Sequence, residues 1–256
     1  MIEIPSLSFC ITCKNRLNQI ERTLRKNLDD NWLHQRYIEF VLVDFGSTDG
    51  LRDWIISMFK KELESGYLRY YYTSELPYWH ACIAKNTSHL CARNDIVVNL
   101  DCDNYTGYFG GRFVINQFHK YQMEIVLHQF RGVIGDGSYG RIGVLRKLFH
   151  QIGGYDENLA PISYEDDDLI QRLRRYGLPY LKRSDKAYNQ AIANSKKEGL
   201  LNTGSAMDYE TMHLHNKQIS VYNISEGRLI ANNRKHGIRK NLIDHKGQSY
   251  NPEILI

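Results

Sequence analysis

Two groups of acidic residues have a composition and a spacing that suit cation binding or proton transfer. In the first group, Asp101 and Asp103 stand one residue apart in the segment IVVNLDCDNYTG, residues 96–107. Side chains of a strand alternate between faces, so both carboxylates would point to the same side at the strand's carboxyl end. Open α/β sheets bind ligands at that edge. Because adjacent like charges repel, the pair suits a divalent cation; a polar strand end that enters a turn is the alternative.

The second group is a run of four consecutive acids, residues 165–168. Acids in the first turn of a helix interact favourably with the helix dipole, by about 0.3–1 kcal/mol each. Helix capping therefore explains one or two of them. The others repel each other, which favours a further role, such as hydrogen bonding to hydroxyl groups or proton transfer by a carboxyl of raised pKa. From the residues alone, both interpretations stay open.

Alternating strands and helices in the first hundred residues would position the first acidic pair. Apolar runs predict strands over residues 7–12, 38–43, 67–73 and 96–100. Helical spacing of apolar residues predicts helices that begin near Asn15, Leu51 and Trp79. This order is typical of an α/β fold with a mostly parallel, Rossmann-like central sheet flanked by helices.

The pattern becomes mixed after Asp103. We predict a helix that ends near Tyr121, a strand over residues 125–130 and a short helix over residues 146–151. Another helix follows the second acidic group and ends at Gly177. From residue 186 onward polar residues dominate, and the basic residues of 228–246 are interpreted as an exposed polar tail rather than a surface that binds diphosphate or membrane.

Composition excludes several classes of protein. The 256 residues, 42% of them hydrophobic, can form one large domain with an ample core. The charge of +4 is too small to indicate nucleic-acid binding, although it suits an anionic ligand or membrane surface. No apolar run approaches the ~20 residues that span a bilayer, and the N-terminus has no signal-peptide pattern. We therefore expect a soluble cytoplasmic protein, which could associate peripherally with the inner face of the membrane.

Five cysteines, an odd number, argue against a disulfide framework. Cys10 and Cys13 form a C-x-x-C pair, but no second pair follows at the spacing of a zinc site. Both lie in an apolar stretch, which favours buried small side chains.

Several motifs, taken in their order, resemble family 2 glycosyltransferases. The motifs are LSFCITCKNR, VLVDFGSTDG, IAKN, NLDCDN and GGYDE followed by YEDDDL. The resemblance covers roughly residues 7–177. It implies a GT-A fold, a nucleotide-sugar donor, a Mn²⁺ or Mg²⁺ ion, and inversion at the anomeric carbon.

The resemblance also implies roles for single residues. Asp103 would be the direct metal ligand and Asp166 the general base. The family usually has two acids before the Gly-Ser of the second motif, whereas this chain has Phe45 as the second, so the contact with the nucleobase stays open. The residues implied in nucleotide-sugar binding are Thr12, Arg16, Asp44, Lys85 and Asp101.

The YEDDDL motif is also similar to the acidic motif of metazoan β-galactosyltransferases. That likeness implies acceptor binding by Glu165 and Asp167, and Tyr164 offers a flat surface for a sugar. Those enzymes add a Met-x-x-His metal pair, which here would supply His215 as a ligand, with His213 as its rival.

The predicted function is an inverting, metal-dependent transfer of a hexose from a UDP-sugar to a glycan or glycolipid acceptor. Galactose, N-acetylgalactosamine and glucose are the candidate hexoses, and surface polysaccharide or glycoconjugate synthesis the expected setting. We expect one domain over residues 1–256: a nucleotide-sugar half (1–107), an acceptor half (108–185) and a C-terminal extension (186–256). A sugar nucleotidyltransferase would need a glycine-rich loop after the first strand, and residues 12–18 contain no glycine. A non-catalytic nucleotide or glycan binder is the other alternative.

Overall fold

A computed structural model describes residues 4–133, 135–193 and 199–253. Within these residues the strands are β1 (Leu7–Cys13), β2 (Ile38–Asp44), β3 (Leu68–Tyr72), β4 (Ile96–Asn99), β5 (Asn104–Tyr105), β6 (Val126–Gln129), β7 (Ile142–Leu145), β8 (Tyr180–Arg183), β9 (Gln190–Ala191), β10 (Leu242–Asp244) and β11 (Ser249–Tyr250). The helices are α1 (Leu17–Asn31), α2 (Leu51–Met58), α3 (Lys60–Ser65), α4 (Ala81–Leu90), α5 (Gly110–Lys120), α6 (Arg146–Gln151), α7 (Glu165–Arg175) and α8 (Tyr209–Ser225). Short 3-10 turns occupy Trp32–His34 and Asn232–Arg234.

The centre of the molecule is a sheet with the strand order β11-β10-β3-β2-β1-β4-β7-β6-β8. Strands β3, β2, β1 and β4 are parallel neighbours, and every residue of β1, β2 and β4 is buried. Strands covered on both faces read as continuous apolar runs, which is why the sequence reveals them. The predicted α/β fold with a mostly parallel central sheet is confirmed.

Helices cover both faces of this sheet because side chains alternate along each strand. Phe9 and Ile11 pack on one face against α1, α2 and α5. Cys10 packs on the other face, in the cluster that contains Phe149 of α6 and Leu173 of α7. The carboxyl ends of β1 and β4 therefore emerge side by side between helices of both layers.

The second half of the chain is mixed, as predicted. Strand β7 runs antiparallel between β4 and β6, while β8 pairs in parallel with β6 at the margin of the sheet. Strands β5 and β9 form a separate two-stranded sheet. The loop that precedes β7, residues 137–141, consequently crosses the carboxyl end of β4.

The C-terminal region differs from the exposed polar tail that its composition suggests. Strand β10 pairs with β3, and Leu242 is fully buried in the core beside Val41 and Val43. Asn232 donates two hydrogen bonds from Nδ2, to the carbonyls of Gly153 (2.8 Å) and Tyr155 (2.6 Å). A few buried contacts hold this region against the rest of the fold. They follow no regular spacing, so a sequence that is polar on average gives no sign of them.

Among the described residues, no helix combines the length and the apolar character that crossing a membrane requires.

Gly154 provides a test of the packing beneath the second acidic group. Its φ is +65°, and a Cβ atom there would lie 2.3 Å from Oδ1 of Asn86. That oxygen accepts the backbone N–H of Tyr155 at 2.8 Å. We expect Gly154→Ala to lower the free energy of unfolding by the cost of a left-handed alanine, about 1–2 kcal/mol, plus about 1–3 kcal/mol for the displaced buried hydrogen bond. Urea unfolding measures the loss.

Gly227→Ala is the matched control. Gly227 has a similar φ of +71°, with nothing within 4 Å of the added atom. Equal losses for the two variants would contradict the close contact with Asn86.

Candidate functional site

A cavity of about 270 Å³ opens at the carboxyl ends of β1 and β4, the edge that the first acidic pair predicts. Its walls come from the end of β1 and the loop that follows it, the segment after β4, helix α4, the start of α7 and the segment around Asn202. Of the site residues expected from the sequence, those that line it are Thr12, Arg16, Lys85, Asp101, Asp103, Glu165 and Asp166.

Asp101 and Asp103 lie together on this cavity, and each accepts a hydrogen bond from a buried asparagine. Asn99 Nδ2 donates to Oδ1 of Asp101 at 3.0 Å, and Asn104 Nδ2 donates to Oδ1 of Asp103 at 2.6 Å. Burial, and then the charge of Asp101, raise the pKa of Asp103 to about 7. The carboxylate pair thus has an excess of negative charge that a cation would relieve.

Lys85 joins the helix α4 to the acids of α7. Its Nζ donates to Oδ1 of Asp166 at 2.7 Å and to Oε1 of Glu165 at 3.0 Å. The Lys85 side chain is only 6% exposed, and that of Asp166 is 15% exposed toward the cavity. Burial raises the pKa of Asp166 to about 7 although Lys85 acts in the opposite direction. A carboxyl group with that pKa can exchange a proton near neutral pH.

The two acidic groups approach each other across Gly140. A Cβ atom on Gly140 would lie 2.9 Å from Oδ2 of Asp101 and 3.1 Å from Oδ2 of Asp166. The carboxylate at the end of β4 and the one at the start of α7 therefore face one small space.

The remaining residues expected on the acceptor side lie just outside this cavity lining. Asp167 accepts a hydrogen bond from the hydroxyl of Tyr139. Tyr164 adopts a left-handed φ of +66°, and its ring meets that of His213 edge to face. Left-handed non-glycine residues cost about 1–3 kcal/mol and are concentrated at functional sites. Asn216 of α8 helps to hold the turn, since its Nδ2 donates to the carbonyl of Ser163 at 2.7 Å.

Asp44 is not brought to the cavity surface. Its carboxylate is fully buried and has two internal partners, the backbone N–H of Ser47 (2.8 Å) and the hydroxyl of Tyr70 (2.8 Å). The sequence predicts that Asp44 contacts the nucleotide from the end of β2, and the residue does lie at the end of that strand. Its side chain, however, points back into the turn after β2, where its carboxylate accepts the backbone N–H of Ser47.

His215 is not brought to the acidic groups either. It is exposed on α8 and does not line the cavity, whereas His213 binds Ser163 Oγ through Nδ1 at 2.9 Å. Met212 is buried against Ala81 and Ile162. Helical periodicity thus turns the Met-x-x-His pair in different directions, and the described part of the chain assembles no group of three His, Cys, Asp or Glu side chains suited to a metal.

The two carboxylates nevertheless fit a divalent cation whose other ligands are water molecules and substrate phosphates. Two carboxylates, Asp101 and Asp103, lie on one cavity wall. Mg²⁺ is commonly held by one or two carboxylates together with substrate phosphates and water.

Lys14 and Trp79 line the cavity although neither was assigned a role from the sequence. Lys14 Nζ donates to the carbonyls of Phe45 (2.6 Å) and Leu76 (3.2 Å), and burial lowers its pKa. The Trp79 ring meets the ring of Phe45 edge to face. Lys14 could have been identified from the sequence as a basic residue directly after the first strand. Trp79 could not, because the sequence does not distinguish it from an aromatic residue of the core.

The position of Asp44 leads to a prediction about stability. We expect Asp44→Ala to lower the free energy of unfolding by about 1–3 kcal/mol for each donor left unpaired in the core. Tyr70→Phe, which removes one donor and keeps the carboxylate's bond to Ser47, should cost less. Urea unfolding of both variants measures this; an Asp44→Ala variant as stable as the unsubstituted chain would refute the internal role.

Comparison with known proteins shows what the sequence and the fold are similar to. Residues 8–107 match the sequence model described as "Glycosyl transferase family 2". None of the curated proteins compared with the chain matches it.

Two solved structures share the fold. S. aureus TarS (residues 1–349) is 18% identical with a TM-score of 0.59, and the match covers 73% of this chain and 60% of TarS. The mannosyltransferase PcManGT from Pyrobaculum calidifontis, in complex with GDP-Man and Mn²⁺, is 16% identical with a TM-score of 0.57 over 72% of this chain and 56% of its own. This chain therefore spans less than two thirds of their length. Residues 8–107 are thus similar to family 2 glycosyltransferases, and the chain shares the GT-A fold of these two structures.

Proposed function

We propose that the chain transfers a hexose from a UDP-sugar to a hydroxyl group of a glycan acceptor, with a divalent metal and with inversion at the anomeric carbon. One observation carries this proposal: the Asp166 carboxylate, bound to buried Lys85, lines the same cavity as Asp101 and Asp103. A carboxylate for proton transfer and a carboxylate pair for a cation are the two parts that such a transfer needs.

A nucleotide-sugar donor is supported by the cavity and by the solved relatives. Thr12, Lys14 and Arg16 bring one hydroxyl group and two cationic groups to the donor side, and Trp79 supplies a flat surface. These groups suit a diphosphate with attached rings. TarS was also solved in complex with UDP-GlcNAc (18% identity, TM-score 0.58, over 74% of this chain and 59% of TarS), and PcManGT with GDP-Man.

Asp103, supported by Asp101, would hold the metal, Mn²⁺ or Mg²⁺. PcManGT was solved with Mn²⁺, which supports a divalent ion here. When bound, the ion would act as a Lewis acid that neutralises charge developing on the leaving diphosphate. Arg16 contributes a favourable charge on the same side, since it lowers the pKa of Asp103.

Asp166 is the proposed general base. Its carboxylate takes the proton from the acceptor hydroxyl as that oxygen attacks the anomeric carbon, on the face opposite the leaving group. Lys85 keeps the carboxylate oriented through one oxygen, Oδ1, and leaves Oδ2 for the substrate. Glu165 shares the lysine and thereby fixes its position.

Asp167 and Tyr164 are the proposed acceptor-binding groups beside the base. Asp167 retains acceptor capacity beyond its bond from Tyr139, and tyrosine rings offer apolar faces to sugars. A glycan or a glycolipid fits this surface equally, in the setting of surface polysaccharide or glycoconjugate synthesis. A glycolipid acceptor would require peripheral association with the membrane that contains it.

Release of UDP from a panel of UDP-sugars tests the proposal. We expect turnover with Mn²⁺ and none after chelation with EDTA. Asp166→Asn should lower kcat by about 10²–10⁴-fold, the usual contribution of a positioned base, because the amide cannot accept the proton. Asp53→Asn, an exposed acid in the first turn of α2, is the control. Full activity of Asp166→Asn would overturn the assigned base.

The pH dependence provides an independent prediction. The proposed base works when ionised, so kcat should rise with pH through about 7, the pKa of Asp166. Lys85 lowers that pKa, so Lys85→Met should move the rising limb to higher pH. Initial rates between about pH 5 and 9 measure the shift.

Lys85→Arg retains the positive charge and should keep the rising limb of the pH profile near its original position. This variant can still be measured if Lys85→Met does not fold. Lys61→Met, at an exposed lysine, controls for the loss of one positive charge. An unchanged limb in Lys85→Met would exclude Lys85 as the partner that sets the base.

A further inference from the structure

We propose that the loop of residues 137–141 and two asparagines, Asn99 and Asn104, form a clamp that sets the position of the metal-binding carboxylates relative to the general base. The inference rests on the proposed function and adds three positioning residues to it: Asn99, Asn104 and Gly140. None of them is an ionisable group, so only their contacts can give them a role.

Asn99 connects the first carboxylate to the loop. It is the last residue of β4 and is 1% exposed. Its Nδ2 donates to Oδ1 of Asp101 and to the carbonyl of Gly140, both at 3.0 Å. One amide group thus fixes the side chain of Asp101 and the backbone of the loop together.

Asn104 makes the equivalent connection for the second carboxylate. Its Nδ2 donates to Oδ1 of Asp103 at 2.6 Å and to the carbonyl of Gly137 at 3.0 Å. Its Oδ1 accepts from Nη2 of Arg141 at 2.7 Å, and this arginine is 1% exposed. The buried guanidinium orients the amide so that its N–H₂ group faces Asp103.

The same loop reaches the second acidic group. Tyr139 donates its hydroxyl hydrogen to Asp167, and its carbonyl accepts from Nε2 of His128 at 2.7 Å. Gly140 lies where a Cβ atom would come within 2.9 Å of Asp101 and 3.1 Å of Asp166. Its φ is not left-handed, so the backbone would accept alanine, but the carboxylates of Asp101 and Asp166 would have to shift to make room for the added atom.

These contacts have a kinetic consequence. Partners that orient metal ligands typically change metal affinity or activity about 10–100-fold when they are removed. A displacement of about 1 Å between reacting groups can cost about 100-fold in rate. Loss of Asn99 should therefore act on metal binding, whereas a side chain at Gly140 should displace both Asp101 and Asp166 and so lower kcat.

The first experiment compares Gly140→Ala with Gly143→Ala. In both, the added Cβ is crowded, but at Gly143 the nearest atom is Val98 Cγ2 at 3.1 Å, in the core. We expect Gly140→Ala to lower kcat for Mn²⁺-dependent UDP release by about tenfold or more, with a smaller change in KM. Gly143→Ala should lose thermal stability but keep its kcat. Equal kinetics in the two variants would overturn the role of Gly140.

The second experiment measures Mn²⁺ affinity by titration calorimetry in the presence of UDP. Asn99→Leu should weaken Mn²⁺ binding about tenfold or more. Asn94→Leu is the matched control, because Asn94 lies before the amino end of the same strand and its Nδ2 donates to the carbonyl of Leu7 at 2.8 Å. An Mn²⁺ Kd unchanged in Asn99→Leu would overturn the clamp.

The outcomes separate the clamp from the proposed function. An unsubstituted protein that binds Mn²⁺ with UDP but releases no UDP from any donor would refute the proposed transfer, while the calorimetric comparison would still decide the clamp. A protein that binds no Mn²⁺ would refute both. If Asn99→Leu does not fold, Gly140→Ala still gives the answer.

Discussion

A buried ammonium group between two carboxylates is the interaction on which the site depends. Lys85 Nζ lies 2.7 Å from Asp166 and 3.0 Å from Glu165. Burial opposes the charge of Lys85, but the two carboxylates outweigh it and raise its pKa. Without the lysine, adjacent acids at the start of α7 would repel each other in a poorly solvated place. The ion pair thus fixes α7 against α4 and gives the proposed base its orientation.

The support for this ion pair comes from distant parts of the chain. Helix α4 is held by the C-terminal region, where the backbone N–H of Ile238 donates to Thr87 Oγ1 at 2.9 Å and that of Gly237 to Glu157 at 2.6 Å. Glu157 in turn accepts from Asn86 Nδ2 at 2.8 Å. Residues far from the cavity therefore determine where Lys85 stands, and a polar C-terminal sequence is part of the folded unit.

Part of the site could be predicted because it depends on local pattern. The apolar run before Asp101 and Asp103 predicts the strand and its carboxyl end. The strand ends at Asn99, so the turn that follows it, rather than strand alternation, sets the direction of the two carboxylates. The acids of residues 165–168 predict a helix start with more charge than capping needs. Asp44 and His215 show the limit of this reasoning: each stands in a plausible motif, but one side chain is taken up by Ser47 and Tyr70 and the other is exposed on α8.

The sequence by itself determined the α/β class, the mostly parallel sheet and the two acidic groups at its carboxyl edge, because hydrophobic periodicity and charge are local properties. Only the tertiary structure decided that Lys85 pairs with Asp166, that Asn99 and Asn104 tie both acids to residues 137–141, and that Gly140 separates Asp101 from Asp166. The hydrogen bonds of Lys85 to Asp166, of Asn99 to Gly140 and of Asn104 to Gly137 join residues 33 to 81 positions apart. No local pattern encodes them, since they exist only after the sheet has brought its strand ends together.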